Sequence, residues 1–394
     1  MAGTAASSSG GVNVMPIEER PKFPFLDLKR LYSEQAKEIE EAVLRVMRSG
    51  WYLLGDECKN FEAEMKRDVF VERPGFVVGC NSGTDALILS MIASGVGPGT
   101  EVISVAHTAV PTIAAIVATG ANPVFCDIDL ETLLISVSEI EKHITARTKA
   151  ILAVHLYGNM VNVHAIQALL NKLKRQDIVI VEDCAQAQGS QLKAESAGSI
   201  CRFGAFSFYP SKNLAALGDG GAISCKTPED EKRLKMLRFY GQETRYKAEL
   251  ARGINSRLDE VQAAVLRIRL KKMGQSSQKK SLLVDAYKNA LGGLALQFQR
   301  TTESCAPSWH LFVVLCENGS VRDSLVSHLK QKQVETLIHY PQPNHRQKAF
   351  ERFYSNPLPH TESVASRILS LPMNSTMTEA DVLEISEHVG SFFK

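Results

Sequence analysis

The sequence lacks most of the features that would place it outside ordinary globular enzymes. No two of its eight cysteines stand in a C-x-x-C pair, so a zinc ribbon or a thioredoxin-like redox motif has no basis. Several cysteines lie inside apolar runs, Val124-Phe125-Cys126 and Val314-Leu315-Cys316 among them, where a thiol serves as a small core hydrophobe. Their usage predicts a reducing, cytoplasmic compartment. Charge of one sign is also scarce: 45 Lys+Arg against 43 Asp+Glu leave a formal +2, with none of the basic excess that nucleic acid or a membrane surface would select. No apolar stretch approaches the roughly 18–20 residues of a membrane span. The first fourteen residues are rich in Ala, Ser and Gly, without the basic and apolar regions of a secretory leader. We expect a disordered tail over 1–22.

The chain does carry 394 residues, enough for two domains at roughly 100–200 residues each and for a core that needs no staple. From Gly75 to Cys225, short β-branched runs alternate with helical stretches. The runs are Phe76–Gly79, Glu101–Val105, Pro123–Asp127, Ala150–Leu156, Ile178–Val181, Ala205–Phe208 and Ala222–Cys225. Nearly uninterrupted apolar strands separated by helices predict an α/β architecture with a mainly parallel seven-stranded sheet covered on both faces. The last two runs leave no room for a helix between them, so an antiparallel strand is expected at that end. Helices are expected over Arg30–Met47 and 228–239, and Ser256 precedes Arg257-Leu258-Asp259-Glu260 as an N-cap would. A strand at Trp309–Leu315 with helices near Val321–Lys332 and after Thr378 gives a smaller C-terminal α/β domain. The expected division is 23–274 for the large domain with its N-terminal helix and 275–394 for the small one.

Three segments carry chemistry. Lys212, in Ser207-Phe208-Tyr209-Pro210-Ser211-Lys212-Asn213, leaves a strand among aromatic and small neighbours before the glycine-rich Gly218-Asp219-Gly220-Gly221. A loop lysine is ordinarily a solvated charge, but a partly desolvated one has a lowered pKa and becomes a usable amine nucleophile. Asp183 ends the strand Val179-Ile180-Val181-Glu182-Asp183, where ligands gather in open parallel sheets. It could cap a helix, or hold a positively charged ring nitrogen. Asn81-Ser82-Gly83-Thr84-Asp85 opens a helix with free backbone N–H groups, suited either to capping or to a phosphate. An aldehyde for the lysine, a basic ring nitrogen for the acid and a phosphate for the turn coincide in pyridoxal 5′-phosphate. No metal-ligand spacing stands beside them.

In order along the chain, Trp51-Tyr52-Leu53-Leu54-Gly55, Asn81–Leu87, Glu182–Gln186, Ser207–Asn213 and Asn255–Glu260 resemble the markers of DegT/DnrJ-type sugar aminotransferases. The resemblance runs from about Phe25 to the C-terminus. It implies the fold of aspartate aminotransferase, fold type I among pyridoxal phosphate enzymes. It further implies that Lys212 forms the Schiff base with the cofactor and shuttles protons, that Asp183 holds the pyridine nitrogen, and that Gln186 faces the ring hydroxyl. Gly83, Thr84 and Ser207 would bind the phosphate, joined by Asn255 from the neighbouring subunit of a homodimer. In many relatives an aromatic residue after the second strand stacks on the cofactor; here that position aligns with Ala109, and His107 or another ring would have to serve.

The segment His339-Tyr340-Pro341-Gln342-Pro343-Asn344-His345 resembles the corresponding stretch of relatives that aminate carbon 3 of a keto-sugar nucleotide. On that analogy His339, Tyr340 and Tyr209 contact the sugar, with Trp309-His310 as a further candidate. The implied reaction moves an amino group from L-glutamate to a nucleotide-linked keto-6-deoxyhexose such as dTDP-3-keto-6-deoxyhexose. Amination at carbon 4, a UDP-sugar substrate and a non-catalytic sugar-nucleotide sensor stay open as alternatives.

Overall fold

The computed structural model describes residues 21–71, 73–354 and 356–394, so the expected tail over 1–22 falls almost entirely outside the described residues. The large sheet holds seven strands: β1 Phe76–Cys80, β2 Glu101–Val105, β3 Asn122–Cys126, β4 Thr148–Val154, β5 Val179–Asp183, β6 Phe203–Ser207 and β7 Gly221–Cys225. Their order is β1-β7-β6-β5-β4-β2-β3. The pairs from β6 through β3 are parallel. β7 runs antiparallel to both β1 and β6, as the short connection before it requires.

Alternate residues of each strand feed separate cores. Val77, Ile103 and Ile180 pack on one face, while Val78, Val102 and Val181 pack on the other. Both faces are therefore dry, which is why the strands read as apolar runs without polar alternation. Helices α1 (Leu28–Ser33), α2 (Ala36–Ser49) and α3 (Asp56–Phe70) precede β1. On the second face, α4 (Gly83–Ala93) is buried around most of its circumference, and its neighbour α5 (Val110–Ala118) starts with a proline in its first turn.

A third core surrounds a three-stranded antiparallel sheet containing β8 (Phe312–Leu315) and β9 (Ile368–Leu371). Tyr287 stacks on Phe312 there at 4.7 Å between ring centroids. The closing helix, Glu379–Phe392, begins with a capping box between Thr378 and Asp381. Among the described residues no helix is long and apolar enough to cross a membrane.

Three local expectations need correction. The helix expected over Arg30–Met47 is two helices, Leu28–Ser33 and Ala36–Ser49. They part where the Ser33 hydroxyl turns back onto the Lys29 carbonyl at 2.9 Å and Gln35 leaves helical geometry. The strand expected from Trp309 starts only at Phe312, because the Ser308 and His310 N–H groups are spent on the carbonyls of Gly158 and Tyr157. Ser256 is not an N-cap: the helix runs Glu260–Leu270 with Asp259 before it. Instead the Ser256 hydroxyl accepts from Asn81 N at 3.1 Å and donates to Asp85 at 2.8 Å, bracing the turn ahead of α4.

The buried Glu260 explains two of the sequence markers together. Its carboxylate accepts the N–H groups of Gly55, Glu57 and Cys58, each at 2.9 Å, at the start of the helix Asp56–Phe70. A Cβ on Gly55 would stand 2.7 Å from that carboxylate, so only glycine fits. Glu260→Ala leaves those N–H groups buried and unpaired and should cost about 2 kcal/mol; a thermal melt should show a clearly lowered midpoint, and an unchanged midpoint would contradict this role.

Candidate active site

A cavity of about 370 Å³ opens at the carboxyl ends of the parallel strands. Its wall brings together Gly83 and Thr84 from the start of α4, Asp183 at the end of β5 with Gln186 beyond it, and Ser207 at the end of β6 with Tyr209 and Lys212 beyond it. Seven residues from three stretches of the sequence thus face one volume, because β5 and β6 are neighbours and only β7 separates β6 from β1.

At one end of the cavity the first N–H groups of α4, from Gly83 and Thr84, have no intrahelical acceptor. Ser82 caps the helix through Asp85 N at 3.1 Å, leaving those two groups for a ligand. Gly83 is required by close approach: a Cβ there would meet the Ser207 Cβ at 2.4 Å. The result is a narrow cradle of small residues, suited to an oxyanion.

Asp183 closes the other end. It is 4% exposed, and its oxygens accept from the Thr112 hydroxyl at 3.0 Å and from Ala185 N at 3.2 Å. Burial pushes its carboxyl above the usual range, against those two hydrogen bonds and the nearby Lys212. A buried carboxylate with no hydrogen-bonded cation is a seat for a positively charged group.

Lys212 sits between these ends in a turn fixed by its own N–H on the Tyr209 carbonyl at 2.8 Å. Desolvation lowers its amine to about 8, with Asp183 opposing the shift. An amine in that range has a substantial neutral fraction near physiological pH, unlike a solvated lysine near about 10.4. Gln186 is oriented from both sides: its oxygen accepts Tyr157 N at 2.9 Å, and its nitrogen donates to the Tyr340 hydroxyl at 2.9 Å.

The remaining sequence candidates are placed differently. Tyr209 lines the cavity and is 55% exposed. Tyr340 is set behind Gln186, and His339 lines a neighbouring cavity. Asn255 is exposed, bridged to Phe239, and outside the cavity wall of its own chain. Ala109 lines the cavity, whereas His107, the ring expected to serve in place of an aromatic there, does not. It is buried against the Tyr157 hydroxyl at 2.9 Å instead.

Sequence reasoning missed Thr112, whose hydroxyl fixes Asp183, and Asp219 on the cavity rim. The signal for Thr112 was its place in the first turn of the helix after β2. His155, on the cavity wall, converges with Glu182 and Cys184 within 4.8 Å. This group is a hydrogen-bond node: His155 Nδ1 accepts Val161 N at 3.0 Å, and Glu182 takes three backbone N–H groups besides His155. Its donors and acceptors are spent on the protein.

The anion cradle, the buried carboxylate and the desolvated amine fit pyridoxal phosphate, whose phosphate, ring nitrogen and aldehyde call for those three groups. A family model described as the DegT/DnrJ/EryC1/StrS aminotransferase family matches residues 33–390. The chain belongs to that family. It is 42% identical over 374 residues, 94% of this chain and 96% of the relative, to the dTDP-3-amino-3,4,6-trideoxy-alpha-D-glucose transaminase of Streptomyces venezuelae. The solved structure of S. venezuelae DesV in complex with a ketimine intermediate superposes with a TM-score of 0.90 at 40% identity, covering 95% of this chain and 99% of that one. NtdA from Bacillus subtilis with bound cofactor PMP gives 0.85 at 30% identity, covering 94% and 86%. The aspartate aminotransferase-like architecture expected from the sequence is thus the fold of this DegT-family chain.

Because the folded-state pKa of Asp183 is raised, its ionised form opposes folding once pH exceeds the unfolded value, and the penalty fades as pH falls below it. Cofactor-free Asp183→Asn should therefore be at least as stable as wild type at neutral pH in urea denaturation. A marked loss of stability would show that the carboxylate is a structural group.

Proposed function

We propose that this protein is a pyridoxal phosphate-dependent aminotransferase that moves the amino group of L-glutamate to carbon 3 of a nucleotide-linked keto-6-deoxyhexose, such as dTDP-3-keto-6-deoxyhexose, in cytoplasmic amino-sugar biosynthesis. The observation that carries the reading is the convergence of Lys212, Asp183 and the start of α4 on one cavity. Gly83, Thr84 and Ser207 would hold the cofactor phosphate, Asp183 its ring nitrogen, Gln186 its hydroxyl, and Lys212 its aldehyde carbon. When bound, that cofactor supplies an electron sink for the carbanion left by proton removal.

The protein's own residues do the rest. Asp183, kept dry and fixed by Thr112, holds a positive charge on the ring side of the cavity. Lys212 Nζ, its basicity lowered by burial, takes a proton from the donor's α-carbon and delivers it one position away, acting as base and then acid. The same lysine serves the second half of the cycle in reverse, with the keto-sugar in place of the keto acid. Binding energy from the nucleotide, remote from the reacting carbon, would position the sugar. Tyr209, half-exposed on the cavity wall, would meet that sugar, with His339 and Tyr340 as further sugar contacts.

In this reading the active form is a homodimer with a shared site, in which the exposed Asn255 of a second copy completes the phosphate cradle. The chain works as a large unit, 23–274, and a small one, 275–394, with the helix Met273–Leu291 straddling the division.

The test is a two-stage assay: 2-oxoglutarate release from glutamate, followed by mass spectrometry of the amino-sugar nucleotide formed from the 3-keto, 4-keto and UDP-linked substrates. Lys212→Ala should keep the fold and lose at least about 10⁴-fold in turnover. Retained turnover in that variant would refute the assignment. No oxoglutarate release from wild type would favour the sensor alternative.

A further inference from the structure

Lys212 borders a second cavity, of about 300 Å³, with Lys280, Asn213, His310 and His339 on its wall. Lys280 is 8% exposed, and its ammonium donates to Asn213 Oδ1 at 2.7 Å. Among the described residues no carboxylate lies within ion-pair distance of it, and burial lowers its basicity. Asn213 is itself held by Ser308, to whose carbonyl its Nδ2 donates at 3.1 Å, so its oxygen is aimed at Lys280. His310 Nδ1 is buried with no partner. The acid on the wall is Glu335, and its Oε2 is occupied by Phe25 N at 2.8 Å.

A buried ammonium without a counter-ion is unfavourable unless a ligand brings the opposite charge. The Lys280 ammonium on the wall favours an anionic group over a cationic one. The volume lies at the lower end of ligand pockets, enough for a small diacid and too little for a sugar nucleotide.

We propose that this second cavity receives a carboxylate of a dicarboxylic amino donor, with Lys280 as counter-ion and Asn213 and His310 as its neighbours on the wall. The proposal rests on the aminotransferase reading, since Lys212 is the group that both cavities share. Lys280 is a binding residue for the donor half of the reaction, and it is absent from the wall that faces the proposed cofactor.

The probe is glutarate, a diacid with no amino group to transfer, titrated calorimetrically into the cofactor-loaded protein, with dTDP titrated in parallel. Wild type should bind glutarate saturably. Lys280→Met should weaken glutarate at least about tenfold, equivalent to about 1.4 kcal/mol, while Lys280→Arg stays near wild type and dTDP affinity is unchanged. Ser276→Leu, which fills the cavity wall without altering a charge, should also weaken glutarate, and it decides the matter if Lys280→Met does not fold. Equal glutarate affinity in Lys280→Met and wild type, or in Ser276→Leu when it alone folds, overturns the proposal, as does absence of saturable binding in wild type. Glutarate binding that depends on Lys280 without any dTDP binding would sink the sugar-nucleotide reading and leave this inference intact. Amino-sugar formation with Lys280-independent glutarate binding would do the reverse.

Discussion

Asp183, at the end of β5, and Lys212, beyond the adjacent parallel strand β6, are both held where water is scarce. Desolvation disfavours the charged form of each, so the carboxyl is pushed up and the amine down. In isolation this would be a poor use of two ionisable groups. Around the proposed cofactor it would be what the chemistry needs, because a positively charged ring nitrogen would relieve the acid and an aldehyde would consume the amine. The anion cradle at α4 then fixes the third corner. Much of the surrounding structure serves to keep these positions: Thr112 and Ala185 on the carboxylate, Ser256 and Asp85 under the cradle, Tyr157 and Tyr340 on Gln186.

The same logic separates what was legible in the sequence from what was not. The seven strands could be read because a sheet buried on both faces demands unbroken apolar runs, and the antiparallel β7 because no helix fits before it. Lys212, Asp183, Gly83 and Thr84 were legible because each sits at a strand end or helix start in a stretch of unusual chemistry. Ser256 was misread because a serine before two acids is a good local cap, and only the folded chain reveals its bond to Asp85. The break near Gln35 and the late start of β8 likewise follow from contacts with distant or turned-back groups.

Lys280 illustrates the limit most clearly. In sequence it stands beside Lys279 within an ordinary amphipathic helix, one charge among many. Only the packing of that helix over Asn213 converts it into a buried ammonium facing a cavity. Likewise, Gly55 and Glu260 look like functional markers in sequence but meet as a helix cap. The markers of the sequence resemblance therefore include residues whose contacts hold the shape around the site.

The proposed chemistry depends on one covalent attachment, at Lys212. Purified protein incubated with pyridoxal phosphate, reduced with borohydride and digested for peptide mass mapping should carry the pyridoxyl group on the peptide containing Lys212. Modification at another lysine, or at none, would contradict it.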